Sequence, residues 1–345
     1  MSATTNPPSP SRHWVRIVVR GLIALVILFA TAGFLYQNIS EARDRRFHPM
    51  PGQLVAVGGY KMHIDCMGQG TPTVILDAGL GDSCFSWHKV QPQIAQFVRV
   101  CSYDRAGLGY SDSSPRPRTS KDIAEELHVL LHHAGITGPL VLVGHSMAGC
   151  DVRLYASLYR SEVVGMVLVD ASHPEQQKRL PPALNDLDAS WVREQEFFEF
   201  TMPFGVPRFM GFCESDAEAR AAGCNFHNAR EAVAELKAFS QSAAQTSATG
   251  SLGDMPLAVL SEDPDKPQPD LPEDLVKPAH DAWQQMQEEL AHLSTRGTHV
   301  IAKNSGHYIQ LDRPDVVIEA VRKIVNQFRQ ALSATQALKH SNLLM

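Results

Sequence analysis

The sequence predicts an α/β fold: a mostly parallel, eight-stranded sheet with helices on both faces and a helical cap inserted late in the chain. Three observations carry that expectation. Short β-rich runs alternate with helical stretches, the pattern of a parallel sheet covered by helices. Gly58-Gly59 separates the first two runs as a two-residue hairpin signal, so these form an antiparallel edge. From residue 174 to 254 no strand pattern appears, while helix-like segments carry Phe197, Phe198, Phe200, Phe204, Phe209 and Phe212. A packed, enzyme-sized body of one large domain plus appendages is expected from this length.

Residues 1–12 are polar and Pro-rich, with almost nothing to bury, and read as a disordered tail. No charge interrupts Gly21 to Tyr36, and the run reaches back to Ile17 if Arg20 snorkels, giving about the length that spans a bilayer. Residues 13–37 are therefore expected to be a signal anchor. Two alternatives stay open: Ala30-Thr31-Ala32 fits a signal-peptidase site, and the run could be a buried core helix. Arg12, Arg16 and Arg20 on one flank nearly balance Arg43, Arg45 and Arg46 on the other, so charge does not fix orientation. A linker follows over residues 38–51.

Candidate strands are Gln53 to Val57, Tyr60 to Cys66, Thr73 to Asp77, Val98 to Tyr103, Leu140 to Val143, Val164 to Val169, Leu257 to Leu260 and His299 to Ala302. Candidate helices are Ile123 to Ala134, Ala148 to Tyr159, Ala279 to Leu293 and Asp315 to Ala331. This divides the chain into a core of residues 52–173 and 255–332, a cap of 174–254 and a C-terminal tail of 333–345.

The net charge of -6 supplies no basic field for nucleic acid, and a small-molecule substrate is expected instead. Six cysteines, with no CxxC pair, argue against a structural metal; neither a metal nor a cofactor is called for. The oligomeric state is not readable.

The chemistry lies at strand ends. Val141-Leu142-Val143-Gly144-His145-Ser146-Met147-Ala148-Gly149 runs a strand into a serine flanked by small residues and then into a helix. Small neighbours permit the strained turn that exposes a nucleophile. Ser305-Gly306-His307 follows the last strand, and a histidine there can take the serine's proton near neutral pH. His145 reads as a packing or hydrogen-bonding residue. Asp77-Ala78-Gly79-Leu80-Gly81 and Ser102-Tyr103-Asp104-Arg105-Ala106-Gly107-Leu108-Gly109 complete the set of turns, the second read as structural.

Together these segments resemble the α/β-hydrolase fold superfamily, over about residues 53 to 330. The elbow departs from the common pattern in ending on Ala148, and the turn after the third strand has Ala78-Gly79 where His-Gly is usual. The resemblance implies a serine hydrolase, most simply a carboxylesterase, with nucleophile Ser146 and base His307. By the family's spacing after Leu257 to Leu260 the acid is Asp265 in preference to Asp263; Asp170, at the end of the preceding strand, is the alternative used by some lipase-like relatives. Backbone N–H groups of Leu80 and Met147 are expected to form the oxyanion hole. Alternatives are an amidase or aminopeptidase, a C–C hydrolase, or a non-catalytic ligand-binding domain. Epoxide hydrolases and haloalkane dehalogenases are disfavoured, because they carry Asp where this chain has Ser146. The family's strand order also implies a Cys66–Cys101 disulfide; Cys213 and Cys224, both within the cap, offer a second pairing without that topological support, and the alternative is that all six cysteines are buried free thiols. Such bridges would put the catalytic domain outside the cytoplasm, periplasmic or extracellular, and secreted if the segment is cleaved.

Overall fold

The structure, a computed structural model, describes residues 12–267 and 271–343, so the polar tail expected over residues 1–12 lies, but for Arg12, outside the described residues. One sheet of eight strands has the order β1-β2-β4-β3-β5-β6-β7-β8. The strands are β1 Gln53–Val57, β2 Tyr60–Met67, β3 Thr73–Asp77, β4 Val100–Tyr103, β5 Leu140–His145, β6 Val163–Val169, β7 Leu257–Ser261 and β8 Gly297–Ile301. β2 pairs antiparallel with β1 and β4, and all other pairings are parallel.

Helix α1, Arg12–Phe47, precedes the sheet; α2 Gln91–Ile94, α3 Ser120–His133 and α4 Ala148–Leu158 lie between the first six strands. Between β6 and β7 the chain runs through α5 Gln176–Arg179, α6 Ala183–Thr201, α7 Val206–Phe209, α8 Ala217–Gly223 and α9 Phe226–Ser247, which form the cap. Helix α10, Glu273–Ala291, leads into β8, and α11 Ile309–Asp312 and α12 Pro314–Leu343 close the fold.

The central strands are buried on both faces, so they read as continuous apolar runs rather than alternating ones. Their side chains nevertheless sort by parity. On one face Leu140 and Leu142 pack with Leu127, Leu131, Val152 and Tyr155 of α3 and α4. On the other, Val141 and Val143 pack with Trp87, Ile94 and the α12 residues Val321, Ile324 and Val325. Each such aliphatic side chain, fully buried, stabilises the fold by about 1.5–3 kcal/mol. The result is a rigid platform whose parallel strands all end on one edge.

Two boundaries differ from the expectations. Helix α1 runs through the stretch expected as a linker, because its last turns are held by the cap, and it reaches Phe47. Helix α12 continues through the expected tail to Leu343, no Gly or Pro interrupting residues 333–343.

Cys66 pairs with Cys101 in the β2–β4 register, and the two stand at disulfide distance with Cα atoms 4.0 Å apart. Cys213 and Cys224 in the cap form a second such pair, 5.5 Å apart at Cα. Cys84 and Cys150 are buried thiols.

Candidate active site

Ser146 sits between the end of β5 and the start of α4 with φ of 53°, a left-handed conformation that a side chain rarely adopts. The elbow is tight because Gly144 allows it: a Cβ there would lie 2.7 Å from the Ala148 carbonyl oxygen. The neighbouring strand pins the turn, Ser146 N–H donating to Val169 O at 3.1 Å and Ser172 N–H donating to Ser146 O at 2.9 Å.

Asp170 ends β6 with φ of 42° and is 1% exposed. Its Oδ2 lies 2.6 Å from His307 Nδ1, and His307 Nε2 lies 3.0 Å from Ser146 Oγ. The other oxygen, Oδ1, accepts from the Glu262 N–H and from the Trp283 indole, both at 2.9 Å. Burial disfavours an imidazolium at His307, but the hydrogen bond and charge of Asp170 outweigh it and raise its pKa above the ordinary value. His145 donates from Nε2 to the His307 carbonyl oxygen at 3.0 Å, and burial together with the nearby His307 holds its own pKa well down. A neutral His145 thus props the loop that carries His307.

The acid favoured from the sequence is corrected here. Asp265 is 81% exposed and its Oδ2 accepts from Lys303 Nζ at 2.8 Å, turned away from the imidazole. Asp263 accepts from the Asn304 N–H at 2.8 Å and from Lys303 at 2.9 Å, contacts that lower its pKa to about 2. Both acids brace the loop before His307; Asp170 is the carboxylate on the ring.

Leu80 and Met147, whose amides were expected to form the oxyanion hole, pack in one cluster with Phe239 and Ala243 of α9. Among the described residues neither N–H enters a hydrogen bond. Arg105 fixes the turn that bears Leu80: its guanidinium donates to Ala78 O, Gly79 O and Asp77 Oδ1, at 2.5, 2.6 and 2.9 Å. It also donates to both oxygens of Glu235 on α9, at 2.6 and 2.8 Å, and Glu235 accepts from the Gly81 N–H. All three charged side chains are at most 1% exposed.

Beside the turn lies a cavity of about 590 Å³, floored by Leu80, Asp82 and Tyr308 and walled by Phe198, Met202 and Phe212 of the cap. Burial pushes Asp82 up to about 6, with Arg105 and His307 pulling the other way.

The sequence pattern of the alpha/beta hydrolase family matches residues 74–320. The chain belongs to this family. It is 29% identical to an uncharacterized protein of Bacillus subtilis, YqjL, over 74% of this chain and 83% of that one. It spans only a fifth (20%) of another relative, a probable transporter of Hormonema carpetanum, at 29% identity over 42% of this chain. Among solved structures, a putative lipase from Acinetobacter baumannii superposes with a TM-score of 0.60 at 20% identity, covering 86% of this chain and 97% of that one. A thermophilic esterase from Thermogutta terrifontis gives 0.57 at 21%, covering 80% and 98%.

Three features of this alpha/beta hydrolase escaped the sequence reading. Trp283 and the Glu262 N–H hold Asp170, and Glu235 completes the Arg105 cluster. Each reaches the site from a distant segment, and no local signal marks them.

Proposed function

We propose that the chain is a serine hydrolase that cleaves carboxylic esters of partly apolar substrates. The observation that carries this reading is the position of His307, between Ser146 Oγ at 3.0 Å and Asp170 Oδ2 at 2.6 Å. In the proposed mechanism His307 Nε2 removes the Ser146 proton as Oγ attacks the ester carbonyl, while Asp170 orients the ring and stabilises the imidazolium. The Leu80 and Met147 amides would receive the developing oxyanion, each donor contributing about 3 kcal/mol in such sites. The imidazolium returns its proton to the departing alcohol, and a water activated by the same ring releases the acid.

A serine here also bears on the epoxide hydrolase among the relatives, a soluble enzyme of Corynebacterium, 28% identical over 33% of this chain. Attack of Ser146 on an epoxide would form an ether, which the His307–Asp170 pair could not hydrolyse, whereas attack on a carbonyl forms an ester, which it can. The apolar wall of Phe198, Met202 and Phe212 supports an apolar acyl or alcohol group. Helix α1 and the two cysteine pairs support a membrane-anchored enzyme with its catalytic domain outside the cytoplasm.

Labelling with a fluorophosphonate probe tests the reading: covalent capture of wild type and none of Ser146→Ala is expected. Absence of labelling in folded wild type would leave a ligand-binding domain. A screen of esters against matched amides then sets the leaving group.

A further inference from the structure

Helix α1 changes its surroundings along its length. Its first half projects from the body, with Val26 66% and Phe29 68% exposed, and its apolar window is 0% buried. From Gly33 onward it is fastened to the cap. A Cβ at Gly33 would lie 2.3 Å from the Phe204 carbonyl oxygen, so helix and cap backbones touch. One turn on, Gln37 donates to Cys224 O at 3.0 Å and accepts from Arg208 Nε at 3.2 Å. Arg208 and Arg220 both close on Asp44, at 2.5 and 3.4 Å.

This contact fixes a height. If the apolar run from Ile17 to Tyr36 fills a hydrocarbon core of about 30 Å, then Gly33 to Tyr36 mark the bilayer surface, and Phe204 stands at that level. The same part of the cap exposes Phe200 by 75%, Phe209 by 83% and Met210 by 55%. Such a patch, continuous with an apolar helix, has the composition of an interfacial surface. Arg43 and Arg46, exposed two to three turns beyond Tyr36, stand about 10 and 15 Å past that level, on the aqueous side that faces anionic headgroups. Phe212 joins this face to the interior, since it is 54% exposed and also walls the cavity.

We propose that this face of the cap rests in the headgroup–acyl boundary beside α1 and that the cavity receives its apolar ester directly from the bilayer. The second half of that statement rests on the esterase reading; the first does not. The test uses the full chain in nanodiscs of phosphatidylcholine and phosphatidylglycerol, with and without brominated acyl chains. Phe209→Trp adds an indole whose emission, over that of wild type, should fall at least twofold with brominated lipid. Emission quenched by aqueous acrylamide instead would overturn the placement, and shielding from both quenchers would assign the patch to a protein partner and overturn it as well. Phe200→Ser with Phe209→Ser, neither of which lines the cavity, should lose at least tenfold on an ester dissolved in the bilayer and keep its rate on a short water-soluble ester. Equal loss on both, or loss on neither, overturns delivery from the membrane. Should wild type cleave no ester at all, the esterase reading and delivery fall together, while the quenching still decides where the cap lies.

Discussion

The sheet edge that carries Ser146, Asp170 and His307 and the cap whose apolar side chains line the cavity beside Leu80 are built by opposite means. At the sheet edge the reacting groups are held by directed contacts: Asp170 is 1% exposed, its carboxylate takes three hydrogen bonds, and Ser146 is held in a conformation that the surrounding strands impose. The cap offers the apolar side chains of Phe198, Met202 and Phe212, from Met202 at 7% exposure to Phe212 at 54%. Reactivity demands positions fixed to fractions of an ångström, whereas an apolar wall selects by volume and contact, with no direction to enforce. Changes at the sheet edge should therefore act on turnover of every substrate, and changes in the cap on the choice among them.

The sharpest separation comes from Ser146→Ala, expected to lower kcat about a million-fold with an unchanged thermal transition, as single losses from such units do. Asp170→Asn should lower kcat about ten-thousand-fold. It should also move the acid limb of kcat/KM. Activity needs a neutral His307, and Asp170 raises the His307 pKa, so the wild-type limb should have its midpoint above the ordinary histidine value and the variant's should fall at lower pH. Asp265→Asn serves as its control, within about twofold of wild type as expected of an exposed position. A larger loss there than at Asp170 would reverse the assignment.

Arg105→Ala strips the buried carboxylates of Asp77 and Glu235 of their cation and should cost about 3–5 kcal/mol of stability in urea unfolding. An unchanged midpoint would mean that the cluster holds nothing. The smallest effect belongs to the cap: Phe198→Ala should reduce kcat/KM about tenfold for a long-chain ester and leave a short one nearly unaffected. If both fell alike, the cap would be serving the chemistry and the contrast drawn above would fail.

What could be read in the sequence follows the same division. All eight strands were placed within a few residues, since β-branched runs bounded by turns are local signals, and the elbow at Ser146 and the final histidine come from local motifs in chain order. The acid was not decided. Three carboxylates follow β7 and one ends β6, and choosing among them requires knowing that the loop after β8 passes over β7 to reach β6. Local sequence contains no trace of that crossing. The same holds for Trp283 on α10 and Glu235 on α9, and for the α1 contacts of Gln37 and Asp44, which only a folded cap explains.

The bridge between Arg105 and Glu235 bears on how the cap opens. Lifting α9 off the core would part a buried guanidinium from one of its carboxylates, and at about 3–5 kcal/mol a fully raised cap would be populated at about one part in a hundred to one in several thousand. The cap is then a fixed roof rather than a hinged one. Traffic has to pass beneath its eaves, at the end where Phe212 stands open and away from the post at Glu235, so the width of that doorway, and not the swing of a lid, would set which substrates enter and how quickly products leave.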